Sequence, residues 1–136
     1  MHLVGLGTPS PEDNVSICIR DAHTGKRAVY MGATSSAEGL REALHGVDCI
    51  FFDGTFWSSD ELSRLGLSQS RAEDMAHLPV GGEGGSLSRL AGLAVSPRIY
   101  THVNNTNPIL VEGSPEHRAV REAGWDVAFD GMEVKL

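Results

Sequence analysis

The segment Cys49-Ile-Phe-Phe-Asp53-Gly-Thr-Phe-Trp57 constrains the fold more than any other part of the chain. Asp48 to Asp53 reads as a strand whose continuous apolar run asks for cover on both faces, as in a parallel sheet. It delivers a carboxylate to its C-terminal tip, and the chain then turns at Gly54. α/β proteins present metal ligands and acid/base groups in this way, to a crevice outside the ends of the strands. Two more segments have the same form. Met75-Ala-His77-Leu-Pro79 sets an imidazole beside a proline and a glycine run, and Arg98-Ile-Tyr-Thr-His102-Val-Asn-Asn-Thr-Asn-Pro108 reads as a strand ending in histidine and amides. A lone Asp at a strand end is most often a turn cap, and a lone His after a strand is most often structural. Three such groups at consecutive crevice-facing ends point to one site. Two histidines and a carboxylate are also the facial set that holds non-haem Fe(II) with open positions.

The rest of the chain arranges itself around that strand. Val15, Ile17 and Ile19 share a face in a first strand, and Arg27 to Met31 follows the turn Thr24-Gly25, which predicts a hairpin. Leu40, Ala43 and Leu44 recur at helical spacing within Ala37 to Leu44, after Ser35 and Ser36 and before Gly46. Ser58 and Ser59 are candidate caps for a helix through Asp60, Glu61 and Leu65, with acids in its first turn favouring the dipole. A short helix over Gln69 to Ala76, another over Ser86 to Ala94 and a strand over Pro97 to Val103 come next. Ser114-Pro115-Glu116-His117 is a helix start with Ser as cap and Pro at the first position. Gly124 closes it, and Trp125 to Phe129 and Met132 to Leu136 read as short strands about Asp130-Gly131. This order predicts a single α/β domain over residues 1–136, with Met1 to Asp13 irregular and a mixed sheet carrying helices on one face. The opposite face is then apolar and needs a cover.

Composition removes several classes of function. At 136 residues the chain supports one core. A net charge of -7 argues against a nucleic-acid partner, which needs clustered Lys and Arg. No apolar run approaches the roughly 20 residues that span a bilayer, and the N-terminus lacks a basic segment followed by an apolar one. The expectation is a cytoplasmic protein without a membrane partner. Cys18 and Cys49 each sit in an apolar strand pattern and belong to no C-x-x-C pair, so both are expected to be buried reduced thiols. Pro79-Val-Gly-Gly-Glu-Gly-Gly85 precedes a helix but lacks the Lys-Ser/Thr ending of a P-loop, which favours a flexible loop over an anion cradle. No serine stands in a G-x-S-x-G context. His2, His23, His45 and His117 are read as solvated.

Asp53-Gly-Thr-Phe-Trp57, Asp60-Glu61, Asp74-Met-Ala-His77-Leu-Pro79, His102-Val-Asn-Asn-Thr-Asn-Pro-Ile-Leu110 and Val127-Ala-Phe-Asp-Gly-Met-Glu133 together resemble the C-terminal half of the coenzyme PQQ synthesis protein B family. The resemblance runs from about Asn14 to the end. It implies one half of a metallo-β-lactamase fold, in which two αβ halves pack as an αββα sandwich. It also implies a part in biosynthesis of pyrroloquinoline quinone (PQQ): metal-dependent, iron-type oxygenation or hydroxylation of a tyrosine-derived precursor. An alternative within the same family is a non-catalytic carrier, transport or interaction module for PQQ or its precursor. By motif, Asp53 matches the carboxylate that related folds use to bridge metals. His77 and His102 match histidine segments of the second half, so the three are the implied catalytic and metal residues, for Fe(II) or Zn(II). Thr55, Asn104, Asn105 and Asn107 are available to orient imidazoles or to bind a carboxylate-rich precursor. The full-length family carries a His/Asp-rich metal motif and a zinc-binding cysteine cluster in its N-terminal half. Neither has a counterpart here. The chain is therefore expected to be a fragment or a half-domain that pairs with a second copy or with a separate N-terminal half, and to be inactive alone.

Overall fold

The computed structural model describes residues 14–136, so the reading of Met1 to Asp13 lies outside the described residues. Five strands form one mixed sheet in chain order: β1 (Ile17–Arg20), β2 (Arg27–Met31), β3 (Cys49–Asp53), β4 (Arg98–Thr101) and β5 (Asp126–Val127). β1 and β2 make the predicted antiparallel hairpin, and β2 through β5 run parallel. The parallel stretch follows from the crossovers, which lift each connection over one face of the sheet.

That face is the core. Val29 and Met31 of β2, Ile50 and Phe52 of β3 and Tyr100 of β4 pack against Leu40, Leu44, Leu90, Val120 and Trp125. These come from α1 (Leu40–Ala43), α3 (Ser86–Arg89), α4 (Pro115–Glu122) and the turns that follow them. The Phe52 ring meets Tyr100 and Trp125 edge-on at 6.3 and 6.1 Å, and Tyr100 stacks on Trp125 at 4.4 Å. Aromatic pairs of this kind add about 0.5–1.5 kcal/mol each beyond the area they bury.

The helices are shorter than the periodicity predicts. α1 starts only at Leu40 because Gly39 takes a left-handed conformation (φ 70°), so neither serine caps it and Ser36 Oγ accepts from the Glu38 N–H instead. α2 (Glu61–Arg64) follows Asp60 rather than a serine cap, since Ser58 donates to the Asp60 side chain and Ser59 to that of Glu73. The helix expected over Gln69 to Ala76 is one 3-10 turn at Glu73–Met75, ended by Ala76 at φ 62°. α3 and α4 match their predicted starts: α3 begins at Ser86, and at α4 Ser114 accepts from the His117 N–H, with Pro115 at the first position.

The second face departs from expectation in two ways. Met132 to Leu136 is not a strand; Met132 and Val134, with Ala128, pack over Ala28, Cys49 and Ile99 and cover part of that face. Among the described residues the remainder is open, with Ile17, Ile19 and Tyr30 exposed on adjoining strands in one register. Cys18 is exposed as well, because every residue of the edge strand β1 is solvent-facing; Cys49 is buried as expected. Among the described residues no helix is long and apolar enough to cross a membrane.

Candidate metal centre

Asp53 ends β3 and Thr101 is its partner at the end of β4, so His102 lies one residue beyond the same sheet edge. The two loops that leave this edge are laced together. Gly54 N–H donates to the Thr101 carbonyl at 2.8 Å, and a Cβ at Gly54 would stand 3.0 Å from the Tyr100 side chain, so the close approach favours glycine. Asn104 N–H donates to the Thr55 carbonyl at 3.1 Å. Asn107 is buried, its amide donating to the Gly54 carbonyl at 2.8 Å while its carbonyl accepts from Ile109 N–H at 3.0 Å.

The sequence-predicted trio converges. One ligand atom from each of Asp53, His77 and His102 can be chosen so that all lie within 4.8 Å of one another. Asp53 is fully buried, His77 is 12% exposed and His102 is 50% exposed at the side chain. Each carboxylate oxygen receives two bonds. Oδ2 accepts from Thr34 N–H at 3.0 Å and faces His77 Nδ1 at 2.8 Å; Oδ1 accepts from Thr55 N–H at 3.1 Å and from the Thr55 hydroxyl at 2.6 Å. A carboxylate only accepts, so the 2.8 Å contact places the proton on His77 Nδ1 and leaves the lone pair of that ring on Nε2. The edge of Phe56 packs against the ring at 5.8 Å, and the His102 ring lies 5.4 Å away.

One histidine stands at unusual backbone and the other directly follows it. His102 has φ 53°, and Ala76, immediately before His77, has φ 62°. Left-handed conformations cost a non-glycine residue roughly 1–2 kcal/mol. Such outliers cluster where the surrounding structure over-determines a functional geometry. Here the braces just described supply that constraint.

Sequence reasoning missed one contributor. Glu61 is a first-turn acid of α2, but it is buried and turned away from solvent. Its carboxylate accepts from Trp57 N–H at 2.7 Å and from the Thr106 hydroxyl at 2.5 Å, and Thr106 in turn accepts from the Asn104 amide at 2.6 Å. Glu61 thus ties the Asp53 loop to the His102 loop. A glutamate in a first helical turn is so ordinary that spacing gives no signal for this. Of the four residues set aside for substrate, Asn105 is exposed and Asn104 half-buried at the rim, whereas Thr55 and Asn107 lie beneath it. His117, read as solvated, is half-buried and its Nδ1 lies 2.8 Å from the Ile109 carbonyl, pinning α4 to the turn at Pro108–Leu110. The glycine run is a packed turn: a Cβ on Gly81 would meet the Trp57 indole at 2.6 Å.

The donor set fits a divalent ion. Imidazole and carboxylate are shared ligands of Zn(II) and non-haem Fe(II), and either metal needs more than three positions filled. A cleft of about 370 Å³ lies beside the site, lined by Trp57, Glu61, Arg64, Thr106 and Glu116 among others, but none of the three candidate ligands reaches it. Asp53, His77 and His102 thus offer three candidate ligand groups for such an ion.

Fold and site together define one αβ layer of a metallo-β-lactamase-type protein, with candidate ligands at the sheet edge. The family described as "Beta-lactamase superfamily domain" matches residues 2–103. Coenzyme PQQ synthesis protein B of Xanthomonas campestris pv. campestris (strain B100) is 43% identical over 128 residues, covering 93% of this chain and 42% of the relative. The protein of the same name from Methylobacterium nodulans is 45% identical over 113 residues, 82% of this chain and 38% of the relative. A crystal structure of Zn(2+)-bound PqqB from Methylobacterium extorquens aligns with TM-score 0.79 and 37% identity, covering 83% of this chain and 41% of that one. The chain belongs to the beta-lactamase superfamily and, within it, to the coenzyme PQQ synthesis protein B family. It spans about two-fifths of the length of these relatives.

Proposed function

We propose that this chain carries one side of a metal centre acting in PQQ biosynthesis, in a metal-dependent oxygenation or hydroxylation of a tyrosine-derived precursor in the cytoplasm. The observation that carries the reading is the convergence of Asp53, His77 and His102 at one sheet edge, in a chain 43% identical to a PQQ synthesis protein B. Fe(II), when bound, supplies redox chemistry towards dioxygen; Zn(II) supplies a Lewis acid. The chain's own residues do the positioning. Asp53 holds a proton on His77 Nδ1 and turns that ring's Nε2 outward. Asn105 and Asn104 sit at the rim, where their amides are available to a precursor carboxylate, and Asn107 keeps the loop beneath them in place.

The exposed strip Ile17, Ile19 and Tyr30 supports a second part of the proposal. A facing αβ layer covers it, contributed either by a second copy of this chain or by a separate N-terminal half, and supplies the missing ligands and substrate wall.

The experiment is anaerobic Fe(II) loading of the chain, alone and co-expressed with the N-terminal half of a relative, followed by precursor and dioxygen with product read by mass spectrometry. Hydroxylated product from the completed protein, lost on His102→Ala, is the expected result. Bound precursor without turnover in the metal-loaded completed protein would overturn the enzymatic reading and favour a carrier.

A further inference from the structure

Thr55 Oγ1 sits at the centre of three short contacts. It is 2.6 Å from Asp53 Oδ1, 2.9 Å from the His102 carbonyl oxygen and 3.0 Å from His102 Nδ1. A hydroxyl has one proton and two lone pairs, and which atoms meet which can be counted. Asp53 Oδ1 and the His102 carbonyl can only accept. The carboxylate contact is the shorter one and carries the charge, so the Thr55 proton belongs there. If His102 Nδ1 were a bare lone pair, one proton would serve three acceptors, and two pairs of lone pairs would face each other within 3.0 Å at a half-buried point. A proton on His102 Nδ1 removes one of the two, because the ring then donates to the Thr55 oxygen, and leaves only the contact with the His102 carbonyl without a proton of its own. Asp53 Oδ1, 3.8 Å from the same nitrogen, favours the same arrangement.

We infer that the Thr55 hydroxyl is a positioning group that selects the Nδ1–H tautomer of His102, so that Nε2 is the nitrogen this residue presents to a metal ion. Thr55 acts through His102 and touches neither metal nor substrate: it is only 7% exposed and lies below the half-exposed ring. Of the two roles open to Thr55, orienting an imidazole and binding precursor, this is the first. With His77 held through Nδ1 by the other oxygen of the same carboxylate, Asp53 and Thr55 give both rings one orientation rule. Outer partners of metal-bound histidines typically change affinity 10–100-fold when removed. The β-branched Thr55 also allows a nearly isosteric test, since valine keeps the shape and deletes the oxygen.

The inference rests on the metal-centre reading for its consequence, but the tautomer is measured without metal. Long-range ¹H–¹⁵N correlation spectra of the chelator-treated chain, at mildly alkaline pH and with the ring assigned through His102→Gln, distinguish the two neutral tautomers directly. Zn(II) affinity is then compared among the wild-type chain, Thr55→Val and Thr55→Ser by competition with a chromophoric chelator. The expected results are an Nδ1–H ring in the wild type, a mixed or Nε2–H ring in Thr55→Val with Zn(II) binding weakened at least about tenfold, and recovery of both in Thr55→Ser. An Nε2–H ring in the wild type overturns the inference, and needs no variant to fold. So does a Thr55→Val chain whose tautomer and affinity are unchanged. A wild-type chain that shows the Nδ1–H ring yet holds no Zn(II) supports the tautomer assignment and counts against the metal-centre reading alone.

Discussion

Replacing Asp53 by alanine separates a carboxylate that organises the site from one that merely lines it. The side chain is fully buried and accepts from Thr34 N–H, Thr55 N–H, the Thr55 hydroxyl and His77 Nδ1. Two of these donors have alternatives. The Thr55 hydroxyl can turn to the His102 carbonyl at 2.9 Å, and His77 retains some exposure to water. The N–H groups of Thr34 and Thr55 do not, since both residues are buried. An unsatisfied buried donor costs about 1–3 kcal/mol, giving roughly 2–6 kcal/mol for the pair. Removing the buried carboxylate refunds part of its desolvation, and water entering the vacated space recovers more. A net loss of about 2–4 kcal/mol is expected, a large share of a typical domain's 5–15 kcal/mol. Urea unfolding of the metal-free chain, followed by Trp57 and Trp125 fluorescence, measures it. His102→Ala is the comparison: half-exposed side chains cost within about 0.5 kcal/mol. The reasoning is refuted if Asp53→Ala loses less than about 0.5 kcal/mol, or if His102→Ala loses more than Asp53→Ala does.

Other outcomes follow from the same structure. His102→Gly, which relieves the φ 53° backbone, is expected to leave stability unchanged or raise it by up to about 1 kcal/mol in urea titrations while removing a ligand. Ellman's reagent should label Cys18 at once and Cys49 only on unfolding; two fast thiols would contradict the burial of β3. Burial raises the Cys49 thiol above its ordinary 9.0, and burial raises the Tyr100 phenol well above its ordinary 10.0. Both groups stay protonated when folded and ionise first in the unfolded chain, so the stability they lend is complete below pH 9 and is lost as pH rises beyond it. Thermal melts at pH 7 to 11 should fall from pH 9 upward, and a flat profile would exclude the linkage. Ile19→Lys should reduce binding of an apolar dye, or self-association in sedimentation, without lowering the melting temperature, if the open strip is a docking face.

Much of the layout was legible because it rests on strong local patterns. The apolar run of β3, the Ser114-Pro115 helix start and the three polar residues at strand or loop ends each have one plain physical reading, and the sheet edge brings the trio together. What stayed hidden depends on tertiary contacts. Helix lengths were overestimated because Gly39 and Ala76 take left-handed conformations that apolar spacing does not encode. Cys18 looked buried since β1 alternates like a half-covered strand, yet among the described residues nothing lies over it. Glu61 was assigned to the helix dipole, and for Thr55 orienting an imidazole and binding precursor both stood open, because only the folded loops reveal that their oxygens face inward. Asn107, likewise set aside for substrate, turned out to be a brace.

Metal stoichiometry of the 136-residue chain tests the central claim most directly. The chain is loaded anaerobically with Fe(II), and separately with Zn(II), then desalted and analysed by plasma mass spectrometry beside His102→Ala. The account predicts about one ion per wild-type chain and a clear loss in His102→Ala, whose fold is intact. An equal metal content in the two chains would contradict a centre built on Asp53, His77 and His102, and so would none in either when the chain is loaded both alone and with the N-terminal half of a relative supplied.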